Sequence, residues 1–211
     1  MNRLLTALAV LTLAACASPA PPPPAAPDDG ETSPPPARNM TAPEPTPNDR
    51  QRLSNLDQHR ESAVARMNAE ADAADAAAVN ALLDAPALTA APDDLYGTYD
   101  CRVIKLGGKD FGLPAILYDW FECRITQGDG ALRFRKTTGS QRTEGYLYPE
   151  GGQSWLYLGG LRYDDEAPPE YGRGEERDQI ARLYRIGENH LRMEFPDPYY
   201  ESEFNIIELR Q

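Results

Sequence analysis

Histidine and cysteine are scarce in this chain, with two of the first and three of the second in 211 residues. His59 and His190 do not supply the clustered nitrogen and sulfur ligands of a zinc site. The spacing of Cys101 and Cys123 is not that of a thiol redox motif. Basic residues are in the minority, 21 Lys and Arg against 33 Asp and Glu, for a net charge of −12. Phosphate contact needs clustered Lys and Arg, so the balance counts against nucleic acid as a partner. It favours a solvated acidic surface and basic or metal-bearing partners. No apolar run reaches the about 20 residues that cross a bilayer as a helix. No serine sits in a nucleophile elbow. Paired carboxylates in so acidic a chain are not by themselves a sign of glycosidase chemistry. The expectation is a protein with no catalytic residues, no metal and no cofactor.

The amino terminus is better defined. Met1-Asn2-Arg3 is positive, Leu4 to Leu13 is apolar apart from Thr6 and Thr12, and Ala14 and Ala15 follow. This is the anatomy of a signal peptide over residues 1–15. Leu13-Ala14-Ala15-Cys16 resembles the lipobox of bacterial lipoproteins. The resemblance implies cleavage before Cys16 and acylation of its thiol and new amino group. The alternative is an ordinary signal peptide cut near Ala17, with Cys16 lost. One acyl chain, at about 0.8 kcal/mol per buried methylene, holds a protein marginally, whereas several make a durable tether. Ala17 stands where an Asp marks retention at the inner membrane, which implies the outer membrane, facing the periplasm.

Residues 16–47 read as the lipidated cysteine and a linker, with twelve prolines among residues 17–47. Such a segment cannot bury a core and favours polyproline II. Its reach lies between about 30 Å as a coil and about 95 Å extended. A helical segment over 48–85 follows, with Asn48 as N-cap and Ala85-Pro86 as its end. Leu53, Leu56, Ala63, Met67, Ala71, Ala74, Ala78 and Leu82 recur at helical spacing, with Arg60 interrupting and a break expected near 69–73. An alanine seam buries too little to hold a dimer well, so the stripe is expected to lie on the following domain.

Residues 94–211 change character. Short alternating segments near 96–106, 115–126, 131–137, 142–149, 154–163, 179–186, 190–195 and 203–210 are separated by turn clusters. The fold class is therefore mainly β with an N-terminal helix: an eight-stranded antiparallel up-and-down meander, closing into a small lipocalin-like barrel. Tyr99, Cys101 and Val103 share one face of the first strand, and Phe121, Cys123 and Ile125 share one face of the second. With Cys16 taking lipid, Cys101 and Cys123 form a single pair on the apolar side, as a core disulfide requires.

Leu95-Tyr96-Gly97-Thr98-Tyr99-Asp100-Cys101 resembles the opening of lipocalin-like and metalloprotease-inhibitor barrels. The stretches Cys101–Gly107, Tyr118–Ile125 and Ile206–Leu209 resemble a family of secreted bacterial proteins of unknown function, number 4893 among such domains. That resemblance implies no catalytic residues.

Candidate binding residues are aromatic: Tyr118 and Trp120, Tyr146 and Tyr148, Trp155 and Tyr157. The competing reading makes them a second core layer under the helix. Phe111, in the glycine-rich 107–114 loop, is a further candidate at the barrel mouth; that loop lacks the ending of a phosphate loop. The acidic 164–177 loop lacks calcium-loop spacing. The function expected is a non-catalytic cell-envelope binding module. Its partners are the membrane, through acyl chains, and a small apolar ligand or an envelope protein. A protease inhibitor plugging a site with the segment before the first strand or a barrel-mouth loop comes second, and an envelope enzyme third.

Overall fold

The computed structural model describes residues 41–110, 112–164 and 166–211. Three helices come first: α1 (Pro47–Ser54), α2 (Leu56–Glu70) and α3 (Ala73–Asp84). The N-cap is Thr46 rather than Asn48. Its side chain accepts from the Asp49 amide at 3.2 Å, and Pro47 occupies the first helical position, where its missing N–H costs nothing. The helical stretch is divided at Asn55 and again at Ala71-Asp72, where the Asp72 carboxylate caps α3 by accepting from the Ala74 amide at 2.8 Å. The second break resets the helical phase. Leu56, Ala63 and Met67 are buried as the stripe predicts, but α3 buries Ala76, Val79 and Leu82 in place of Ala74 and Ala78.

The strands are β1 (Gly97–Gly108), β2 (Ala115–Leu117), β3 (Phe121–Gln127), β4 (Leu132–Lys136), β5 (Gln141–Pro149), β6 (Ser154–Tyr163), β7 (Asp178–Gly187), β8 (His190–Pro196) and β9 (Ser202–Arg210). β1 and β3 to β9 form a closed eight-stranded antiparallel barrel, sealed by β1 against β9 from Asp100↔Arg210 to Gly108↔Ser202. The expected second strand is interrupted at Tyr118-Asp119-Trp120. β3 pairs with β1 from Gly97 to Cys101, while β2 pairs with its far half, Ile104 to Leu106. One long strand thus serves two short ones.

The barrel interior is filled by side chains. Tyr99, Ile125, Phe134, Leu147, Tyr157, Leu183 and Met193 are all buried there. Tyr157 stands edge-on to Phe134 and Phe195 at 5.7 and 5.8 Å between ring centroids. Its hydroxyl bonds the Thr143 hydroxyl at 2.6 Å, and a Cβ at Gly159 would lie 2.2 Å from that same oxygen. Glycine is required at 159 because the tyrosine head occupies the space. Cys101 and Cys123 are fully buried and disulfide-bonded, with Cα atoms 5.8 Å apart. They are diagonal neighbours in the register, since Cys101 faces Phe121 and Cys123 faces Tyr99.

The helices lie on the outer face of β1 and β9, as the thin stripe implied. Leu56, Ala63, Met67, Val79 and Leu82 pack against Ile104, Leu106, Phe204 and Ile206. Each large apolar side chain so buried contributes about 1.5–3 kcal/mol. One barrel end is closed by the segment leading into β1. There Leu95 is buried, the Leu88 amide donates to the Arg185 carbonyl at 2.7 Å, and the Trp155 indole donates to the Ala90 carbonyl at 3.3 Å. The opposite end holds Lys105, Gln141, Leu161, Gln179 and Asn205, and the turn between β8 and β9 covers it.

Candidate functional site

Strand alternation decides where each aromatic residue points. On β6 the odd positions face inward, so Trp155 and Tyr157 are core residues and do not join a surface site. On β5 the even positions face outward. Tyr148 packs on Leu156, Leu158 and Ile180 beneath Leu53 of α1. Tyr146 borders a groove of about 290 Å³ with Arg133, Pro168, Pro169 and Tyr171. Of the aromatic candidates, Tyr118 and Trp120 stand exposed, 38 % and 43 %, at the interruption between β2 and β3; Tyr199 and Tyr200, not singled out from sequence, form an exposed edge-on pair with centroids 4.8 Å apart in the β8–β9 turn. Phe111 and Cys16 lie outside the described residues.

The interruption makes Tyr118 to Trp120 a ledge. The Tyr118 amide still donates to the Val103 carbonyl at 3.0 Å, and the chain then leaves the sheet before re-entering at Phe121. Cations surround the rings. Arg102 and Arg210 lie 5.0 and 5.5 Å from the Trp120 centroid, and the Lys105 ammonium lies 5.3 Å from that of Tyr118. Glu208, fully buried, anchors both arginines, accepting from each Nε at 2.7 Å. Burial alone would raise the Glu208 carboxyl, but the hydrogen bonds and charges of Arg102 and Arg210 outweigh it and hold the group below the usual carboxylate range. The buried carboxylate stays ionised and fixes two guanidinium groups beside one indole. An open depression of about 520 Å³ adjoins Trp120, bordered by Thr98, Asp100, Glu122, Thr138 and Arg210.

A second feature lies inside the barrel mouth. Lys105 and Lys136 are both buried, at 8 % and 3 % exposure. They share a cavity of about 50 Å³ with Gln141, Thr143, Gln179 and Asn205. Lys136 donates to the carbonyls of Thr138 and Gln141 at 2.6 and 3.1 Å and stands 3.7 Å from the Phe121 ring centroid. Desolvation, with the Arg142 charge adding to it, pushes its ammonium down to about 8. Lys105 donates to the Gln141 side-chain oxygen at 3.1 Å and to the Glu201 carboxylate. A side opening of about 240 Å³ runs from this cavity past Tyr118 and Ser140.

The lysines were not singled out from sequence, yet a signal existed. Lys105 is in phase with Tyr99, Cys101 and Val103, and Lys136 with Leu132 and Phe134. A lysine on an inward position must either find partners or lose its charge.

The two loops weighed as sites are tied down. Arg66 of α2 donates to the carbonyls of Gly108 and Gly112, and Lys109 bonds the Pro198 carbonyl at 2.7 Å. In the acidic loop Glu166 meets Arg177 at 3.0 Å, Glu170 pairs with Arg173, and the Tyr171 hydroxyl donates to Asp49 at 2.6 Å. Among the described residues no group of three or more His, Cys, Asp or Glu is placed to hold a metal ion. None of their helices is long and apolar enough to cross a membrane.

A domain of unknown function, DUF4893, matches over residues 44–209. Its bounds take in all three helices and the barrel. Comparisons with curated proteins and with solved structures found no match.

Proposed function

The chain belongs to the DUF4893 family, and from that premise we propose that it is a non-catalytic binding module of the cell envelope, tethered by acyl chains at Cys16 and docking a protein segment on the Tyr118–Trp120 ledge. The observation that carries this is the contrast between a filled interior and a bare exterior. Sites for ligands of drug size occupy about 300–1,000 Å³, whereas the cavity among the inward side chains at the mouth is about 50 Å³ and largely polar in its lining. That cavity does not match a drug-sized apolar ligand. Trp120 and Tyr118 stand exposed, and Trp, Tyr and Arg are the residues that carry most binding energy at protein interfaces.

The charge around the ledge selects the partner. Arg102 and Arg210 flank the Trp120 ring, each held by the buried Glu208 carboxylate and the second more than half exposed, on a chain of net charge −12. An acidic segment meets attraction there and repulsion over most of the remaining surface. The inhibitor reading needs a projecting segment before β1 or a projecting mouth loop; the first is bonded to the barrel through Leu88, Thr89 and Ala90, and the 107–114 loop is held by Arg66 at the Gly108 and Gly112 carbonyls.

The test is co-purification from solubilised envelopes with the full-length, lipidated protein. A partner held by the wild type and by Tyr146→Ala, and lost from Tyr118→Ala/Trp120→Ala, is the expected result. Retention of every partner by the double variant would remove the ledge from the account.

A further inference from the structure

Beyond the ledge, with which it shares only Lys105 beside the Tyr118 ring, we propose that the barrel mouth is a binding site for a small hydroxy- or amino-carboxylate, and that Glu201 occupies it as a displaceable internal stand-in. The site is concave and basic inside an acidic protein. Lys105 and Lys136 reach it from β1 and β4, and Gln141, Gln179 and Asn205 complete its polar lining. Low-dielectric walls focus such a charge on a small anion.

A carboxylate already sits on the donors. The Glu201 side chain accepts from the Lys105 ammonium, and its second oxygen lies 3.4 Å from the Gln141 amide nitrogen. Its carboxyl is held below the ordinary range, first by the hydrogen bond from Lys105. The donors therefore have the reach and direction a carboxylate needs. Glu201 itself is poorly committed to the place. It comes from the surface turn between β8 and β9, its side chain is 51 % exposed, and its φ of +71° is one that non-glycine residues adopt at a cost. A fixed structural partner would be buried in relaxed backbone, as Glu208 is on β9.

Gln179 also lines the cavity, and its buried Oε1 accepts no hydrogen bond from the described residues. Buried polar atoms are nearly always paired, so this oxygen favours a ligand that brings its own donor. A hydroxyl or ammonium next to the ligand's carboxylate supplies it. Size agrees: at about 10–15 Å³ per water, a cavity of about 50 Å³ has room for about three to five non-hydrogen atoms. Glycolate, with a carboxylate and one hydroxyl, is of that size.

The experiment titrates the full-length protein with sodium glycolate and follows the Gln141, Gln179 and Asn205 side-chain amide signals by NMR at constant ionic strength. Glu201→Gln is expected to bind glycolate at least about tenfold more tightly than the wild type, because the tethered competitor is gone. Adding Lys105→Met to that variant is expected to abolish binding while the barrel amide spectrum stays dispersed. Equal affinity in Glu201→Gln and wild type, or full binding in the Lys105→Met variant, overturns the proposal. So does acetate or chloride binding Glu201→Gln as tightly as glycolate.

Discussion

Lys136 shows what a single inward position costs and what it offers. Its ammonium is pushed down to about 8 from 10.5 by burial, with Arg142 adding repulsion. The folded state therefore holds fewer protons than the unfolded chain between those two values, and stability rises with pH across that window. Lys136→Met has no such group. The wild type is expected to gain about 2 kcal/mol relative to Lys136→Met from about pH 7.5 to about pH 9.5, measured by urea unfolding. Parallel pH profiles for the two proteins would show that the lysine is not desolvated. At this scale the sequence was legible where alternation was clean. Cys101 and Cys123 faced inward as read, and closing that loop stabilises the fold by about 3 kcal/mol on the loop-entropy estimate. Trp155 and Tyr157 were harder to read, because an aromatic with a polar handle suits a core and an interface alike. Tyr157 belongs inside because Thr143 accepts or supplies its proton and Gly159 leaves it space. Neither partner is adjacent in sequence.

At the scale of elements, eight alternating segments became eight barrel strands, and turn chemistry marked nearly every connection. The exception is the segment 115–126. Its apolar alternation runs on without a glycine or proline, yet between the pairs Ile104↔Leu117 and Cys101↔Phe121 the segment carries one residue more than β1 does, and the extra residue is bulged out at Tyr118–Trp120. No turn residue marks that bulge in the sequence. The candidate ledge is therefore the place where local reading and global topology part. The helices depend on the barrel in a similar way. Arg192, buried on β8, donates to the carbonyls of Leu82, Leu83 and Ala85 at 2.6, 2.9 and 3.3 Å, capping α3, and meets Glu194 at 2.7 Å. Burial raises the Glu194 carboxyl, and Arg192 and Arg60 oppose that rise. Arg192→Met leaves bare carbonyls and a half-paired buried carboxylate, at a cost of about 3–5 kcal/mol. Hydrogen exchange is expected to show α3 losing protection before the barrel strands. Uniform loss across both would mean that the cap does not separate them. Glu194→Gln in the same background is expected to restore part of the stability.

The molecule combines a net charge of −12, a barrel filled by side chains and an exposed aromatic ledge flanked by two arginines, with the proposed lipid anchor ahead of residue 41. Helices cover the outer face of β1 and β9 and the segment before β1 closes one end, while the ledge stays open at the β2–β3 interruption. The tether is tested by Cys16→Ser, which is expected to move the protein from the membrane pellet to the soluble fraction; continued sedimentation with membranes would refute acylation at that position. Docking is tested most directly by placing a photo-crosslinking residue at Asp119, between the two exposed rings, in the full-length protein within its own envelope. One discrete protein adduct is expected from position 119, absent when the same group replaces Gly130 or Glu175. Equal labelling at all three positions, or no adduct at 119, would contradict docking on the ledge.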